Sequence, residues 1–219
     1  MTVAIIGWGS LIWCPGTLEI KSRSRADGPQ LPVEFARISD DGRMTLVIYE
    51  SSAAVRTYWA LSTYEEVDGA IENLQKRERA PTKELIHCLL SSGQVYEGDG
   101  TRRKVPDEVR ENIRTWLALK PEISAVVWTA LSTNWQDKRA KAFTVEDALL
   151  YARELEAAVD LGTTDERRKA QHVLDRACDY VRNTPAQVQT AVRKRLGVYQ
   201  KSRLHQNASS SLSYLSWAA

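Results

Sequence analysis

The chain has 219 residues, 43% of them hydrophobic and 26% charged, a balance that excludes disordered, collagen-like and disulfide-scaffold proteins and suits one domain, or one domain with an appended subdomain. Lys and Arg total 30 against 28 Asp and Glu, a net charge of +2, which excludes the broad basic field of a non-specific nucleic-acid binder. Three cysteines without C-x-x-C spacing argue against a disulfide framework or zinc ribbon and for a reducing compartment.

Met1-Thr2 runs straight into an apolar strand with no basic leader, and no stretch approaches the ~18 apolar residues of a membrane span, so a cytoplasmic protein without membrane contact is expected. Val3 to Ile6 reads as a buried strand ended by Gly7-Trp8-Gly9. Residues 33–37 and 45–49 flank Asp40-Asp41-Gly42, a hairpin signal. Residues 55–61 form a further predicted strand. Ser62 and Thr63, each with a Glu three residues on, have capping-box spacing ahead of a helix carrying Val67, Ala70, Ile71 and Leu74. Strands over 85–90 and 125–131 follow, with a helix over 107–119 opening after Pro106.

After Thr144 the pattern is helical. Thr144 with Asp147, Thr163 with Glu166, and Thr184 with Pro185 and Gln187 mark three helix starts. Six strands and these helices predict an α+β fold, a mixed curved sheet or small β-barrel flanked by helices. The expected organisation is an α+β core over 1–143, a helical region packed on it over 144–200, and a Ser-rich tail or docking arm over 201–219.

Two features carry candidate chemistry. Gly7-Trp8-Gly9-Ser10-Leu11 lacks the third glycine of a dinucleotide fingerprint, since position 12 is Ile12, and lacks the second glycine of a nucleophile elbow. It remains either a tight structural turn or a concave run of backbone N–H groups able to hold a carboxylate or oxyanion. Glu78 continues the stripe of Val67, Ile71 and Leu74 by four residues, placing a carboxylate where an inward apolar side chain is due, with Pro81 just beyond. Desolvation and the helix C-terminus both raise the pKa of such an acid, unless Arg77 or Arg79 draws it out as a surface ion pair.

Other polar groups point nowhere in particular. His87, His172 and His205 have no ligand spacing, so no metal is expected. His87 and Cys88 are strand neighbours facing opposite ways. Cys14 reads as buried packing, the seven Trp as core and pocket walls, and the basic runs 102–104 and 193–195 as solvated faces.

The strand and loop of Val3 to Leu11 resemble the start of the γ-glutamylcyclotransferase-like family, which has a strand followed by an aromatic-Gly-Ser-Leu loop. The order that follows is similar too: Phe35-Ala36-Arg37, a second strand from Thr45 to Ile48, Val55 to Leu61 with its Tyr-Trp-Ala-Leu, and a helix ending Leu74-Gln75-Lys76-Arg77-Glu78. The resemblance covers roughly residues 3–131. It departs at Trp8, where the family usually has Tyr, and after Glu78, where the Tyr often found within a few residues is missing.

The resemblance implies a γ-glutamyl substrate whose α-amine attacks its own side-chain amide, closing 5-oxoproline and releasing an amine or amino acid. It implies Glu78 as the catalytic proton carrier, and Trp8, Gly9, Ser10 and Leu11 as the substrate-binding loop. No metal, nucleotide or organic cofactor is implied, and the partner is a small molecule; a homodimer is left open. The rival expectation is a non-catalytic metabolite-binding or interaction protein on the same fold.

Overall fold

The computed structural model describes residues 1–96 and 105–196. The basic run 102–104 and the tail 201–219 lie outside the described residues, as does Trp217. Among the described residues seven strands form two sheets. β1 (Val3–Gly7), β5 (Tyr58–Leu61), β6 (Ile86–Leu90) and β7 (Ala125–Thr129) make a four-stranded sheet ordered β5-β1-β7-β6, in which β1 and β7 are parallel and the other pairs antiparallel. β2 (Gln30–Ile38) runs between β3 (Met44–Ile48) and β4 (Ala54–Arg56) in an antiparallel three-stranded sheet.

The α+β class is as expected, but the sheets do not close into a barrel, and the strand expected over 55–61 is two. The switch sits at Thr57. Its N–H and hydroxyl both donate to the Pro29 carbonyl, at 3.1 and 2.6 Å, so the segment leaves β2 there and joins β1. Gly28 lies under this corner, where a Cβ would come 2.8 Å from the Thr57 carbonyl oxygen. The Asp40-Asp41-Gly42 turn joins β2 to β3 as expected, with Gly42 at φ 86°.

Two apolar cores follow from strand alternation. On one face of the four-stranded sheet, Val3, Ile5, Cys88, Ala125 and Val127 pack against α1 (Val67–Glu78). On the other, Ala4, Ile6, Leu89, Val126 and Trp128 meet β2 and β3, together with Val109, Ile113 and Trp116 of α2 (Asp107–Ala118). His87 and Cys88 face opposite ways, as expected, with His87 edge-on to Trp128.

α1 corrects one expectation. It starts at Val67 after an extended Glu66 with no side-chain cap, because the Ser62 hydroxyl accepts from the Tyr64 N–H instead of reaching the helix.

Beyond β7, α3 (Trp135–Arg139) leads to a helical hairpin of α4 (Val145–Leu161) and α5 (Thr164–Asn183). Both predicted hairpin starts hold. The Thr144 hydroxyl accepts from the Asp147 N–H at 3.0 Å, and Thr163 with Glu166 forms a reciprocal box.

The helix expected from Thr184 does not begin there. Thr184 donates back to the Tyr180 carbonyl, and the Arg193 guanidinium takes the carbonyls of Thr184, Pro185 and Val188 at 2.6–2.9 Å, holding 184–190 as a wrapped turn. Helix resumes at 191, where the N–H groups of Ala191 and Val192 donate to the buried Glu34 carboxylate. Arg193 is thus a structural clamp, while Arg195 pairs with Glu146. Among the described residues no helix is long and apolar enough to cross a membrane.

Candidate functional site

Val67, Ala70, Ile71 and Leu74 put one face of α1 against the four-stranded sheet, and the same helical spacing carries Glu78 onto that side one turn later. The helix ends there because Arg79 takes the left-handed conformation, φ 51°, and the N–H groups of Arg79 and Ala80 close on the carbonyls of Lys76 and Gln75. Glu78 is left with its side chain only 20% exposed. Burial pushes its carboxyl above the usual range, with the Arg77 guanidinium, 3.3 Å away, pulling the other way. Glu78 is thus inward and not drawn out into solvent, and it touches Arg77 because Arg77 itself is held inward.

Arg77 is the clamp between helix and loop. Its Nε donates to the Pro15 carbonyl at 2.7 Å, and its Nη2 to the Cys14 carbonyl at 2.7 Å and the Ser10 hydroxyl at 3.1 Å. Asn73, one turn earlier, accepts from the Glu19 N–H and donates to the Thr17 carbonyl, so α1 fastens the stretch after β1 at two levels.

Within the loop, Ile12 and Cys14 donate their N–H groups to the carbonyls of Gly9 and Ser10, a helical turn that leaves the N–H groups of Ser10 and Leu11 at its open end. The loop after β1 and the end of α1 are brought together.

The individual loop residues divide. Trp8 is buried and its indole N–H donates to the Leu46 carbonyl at 3.2 Å, so it is a core residue whose only donor is already engaged. The Leu11 side chain is buried against Gly7. Gly9 is buried beneath a side chain from α5, and Ser10 is half-buried with its hydroxyl on Arg77. Neither Gly7 nor Gly9 has a positive φ; among the described residues the left-handed glycines are Gly16, Gly42 and Gly93. Cys14 is exposed, not packed as expected, because its carbonyl faces the Arg77 clamp while Trp13 takes the inward position against Tyr180.

Tyr180 is the residue that sequence reasoning missed. It comes from α5, is 8% exposed, and stands edge-on to Trp13 and Phe35 at 5.3 and 5.9 Å between ring centres. Its hydroxyl sits so close over Gly9 that a Cβ there would fall well inside 3.0 Å of it. Burial pushes the phenol up to about 12, the Glu78 charge adding to this, while backbone hydrogen bonding at Leu46 and Ser10 opposes it. A signal was present: Tyr180 follows Ala177 by three residues, on the apolar side of α5. Nothing local says that this face meets a loop some 170 residues earlier in the sequence.

The site thus combines an acid with a raised pKa, a fixed guanidinium and a turn of backbone N–H groups that the Tyr180 hydroxyl covers. Among the described residues no group of three His, Cys, Asp or Glu could hold a metal ion. No protein-family model, curated protein or solved structure matches the chain.

Proposed function

We propose that the protein is a γ-glutamylcyclotransferase-like enzyme, cyclising the γ-glutamyl group of a small amide or peptide to 5-oxoproline. The observation that carries this reading is the meeting of Glu78, pushed up by burial, with the Gly9-Ser10-Leu11 turn through the shared Arg77 clamp.

In the reaction the α-nitrogen of the glutamyl group forms a bond to its own side-chain carbonyl carbon, and the bond from that carbon to the leaving nitrogen breaks. An ionised Glu78 takes a proton from the α-ammonium and returns one to the departing amine. A raised pKa suits both halves, since the acid exchanges protons closer to neutrality. The N–H groups of the turn hold oxygen atoms of the glutamyl group and keep it folded. An attack within one molecule, once oriented, reaches effective molarities of ~10⁵ M or more, so holding that pose supplies much of the rate. The buried Trp8 takes no direct part, and the loop acts through its main chain.

The second reading, a metabolite-binding or interaction protein that keeps the fold without the chemistry, is favoured by one observation: the Tyr180 ring lies over the turn. A thermal-shift screen with glutathione, γ-glutamyl amino acids and 5-oxoproline, paired with mass-spectrometric detection of 5-oxoproline, separates the two. Turnover supports the enzyme, and a stabilising ligand without turnover supports the binding protein.

A further inference from the structure

The proposed reaction needs the open end of the 9–11 turn for substrate oxygens, yet a side chain from α5 is already there. The Tyr180 hydroxyl packs directly onto the Gly9 main chain, with Cζ 3.5 Å from where a Cβ would be, leaving no room for a ligand between them. The phenol oxygen takes backbone hydrogen bonding from Leu46 of β3 and, to a lesser degree, from Ser10 of the turn, and so lies where that turn would hold a substrate carbonyl or carboxylate oxygen. We propose that Tyr180 is an intramolecular plug that stands in for a substrate oxygen, and that the α4–α5 hairpin is the lid carrying it; this rests on the cyclotransferase reading of the site.

The way the hairpin is attached fits a lid. Its ends are fixed: Phe143, just before α4, is buried and its carbonyl accepts from the Tyr49 hydroxyl, and the 191–196 helix is tied to Glu34 in the core. Between those anchors, polar tethers reach it at the β2–β3 turn, where the Tyr151 hydroxyl donates to the Gly42 carbonyl at 2.7 Å and Arg176 pairs with Asp41 at 3.1 Å. Arg139 of α3 adds a 2.6 Å pair with Glu154.

Beneath the hairpin the packing is incomplete. An apolar cavity of about 60 Å³ runs between α4, α5 and the three-stranded sheet, lined by Phe35, Met44, Ala152, Leu155, Leu174 and Val181. A close-packed seam resists separation, whereas one with a void has already forfeited part of its contact energy. Lifting the hairpin breaks those surface bonds, the seam beside the cavity and the ring contacts of Tyr151 and Tyr180 with Trp135, Trp13 and Phe35, and withdraws Tyr180 from the turn in the same movement.

The test compares the full-length wild type with Tyr180→Phe and Tyr180→Ala. Amide hydrogen exchange at Ser10, read without ligand, is expected to quicken about fivefold or more in Tyr180→Phe, the effect of losing one modest hydrogen bond; unchanged exchange overturns the plug. With γ-glutamyl-alanine as substrate, Tyr180→Ala is expected to raise kcat/KM about tenfold through a lower KM, with kcat within about twofold of wild type. If there is turnover and kcat/KM does not rise, or if Tyr180→Phe lowers kcat, the phenol belongs to the chemistry and the plug is overturned. Faster Ser10 exchange with no turnover in any of the three chains upholds the plug and retires the cyclotransferase reading instead.

Discussion

The hydroxyl of Tyr180 and the main chain of Gly9 occupy adjoining space with no allowance for a side chain: a Cβ on Gly9 would clash with the hydroxyl oxygen yet stand at an ordinary 3.5 Å from Cζ. Gly9→Ala is therefore expected to cost about 1–3 kcal/mol, the range for overpacking a buried contact. In a Tyr180→Phe background the same change should cost well under half as much, because the clashing atom is gone. Urea unfolding of the four chains measures the coupling, and strict additivity of the two changes would contradict the contact.

Arg77 holds three oxygen acceptors of the loop while standing beside Glu78. Arg77→Ala leaves the partly buried Pro15 carbonyl and Ser10 hydroxyl without their donor, an expected loss of about 2 kcal/mol. It also removes the cation that restrains Glu78, so the Glu78 carboxyl should titrate at still higher pH. Arg77→Lys keeps a charge but not the planar fork, and should restore the titration far better than the stability. Carbon-13 NMR of Glu78 alongside chemical denaturation checks both halves.

At Asp41, burial raises the carboxyl but is outweighed by hydrogen bonds from Ser39 and Arg43 and by the Arg43 charge, which bring it down to about 2. A depressed pKa means that the ionised form stabilises the fold above the unfolded value of 3.8, and that this contribution fades as pH falls from ~4 toward ~2. Because Arg176 of α5 shares Asp41, the hairpin should loosen in that window. Hydrogen exchange of α5 peptides is expected to accelerate there in the wild type, and to be fast already at pH 5 in Asp41→Asn.

Glu78 has the opposite sign. Its carboxyl is raised in the folded chain, so ionisation costs stability, a penalty absent at low pH that grows as pH climbs past the ordinary carboxylate range. Glu78→Gln should therefore unfold at a higher temperature than wild type near pH 7 and match it near pH 4. A gain of 1 kcal/mol corresponds to roughly 2–4 °C in a chain of this size. Equal melting temperatures at both pH values would mean that the acid is not strained by its surroundings.

What was legible in the sequence was what short-range periodicity and capping decide. The stripe Val67, Ala70, Ile71, Leu74 declared α1 and placed Glu78 on its inner side, and the threonine caps at Thr144 and Thr163 marked the hairpin. Features set by contact between distant segments were not legible. Thr57 moves its strand to the other sheet because Pro29 supplies the acceptor, which split the expected single sheet in two. The Arg193 clamp replaced a helical start at Thr184 with a turn. Arg77 was visible only as a rival for Glu78, since its carbonyl partners lie more than 60 residues back. Tyr180 stood on a helix face whose target no local pattern specifies.

The central claim is that Glu78 moves the protons of a cyclisation carried out against the 9–11 turn. Its most direct measurement is 5-oxoproline release from γ-glutamyl-alanine and glutathione by wild type and Glu78→Gln across pH 4–9. The account predicts release by the wild type, with an acid limb above the ordinary carboxylate range, and no detectable release by a Glu78→Gln chain that folds normally. Undiminished release by Glu78→Gln, or a ligand-stabilised wild type that never forms 5-oxoproline, would contradict it.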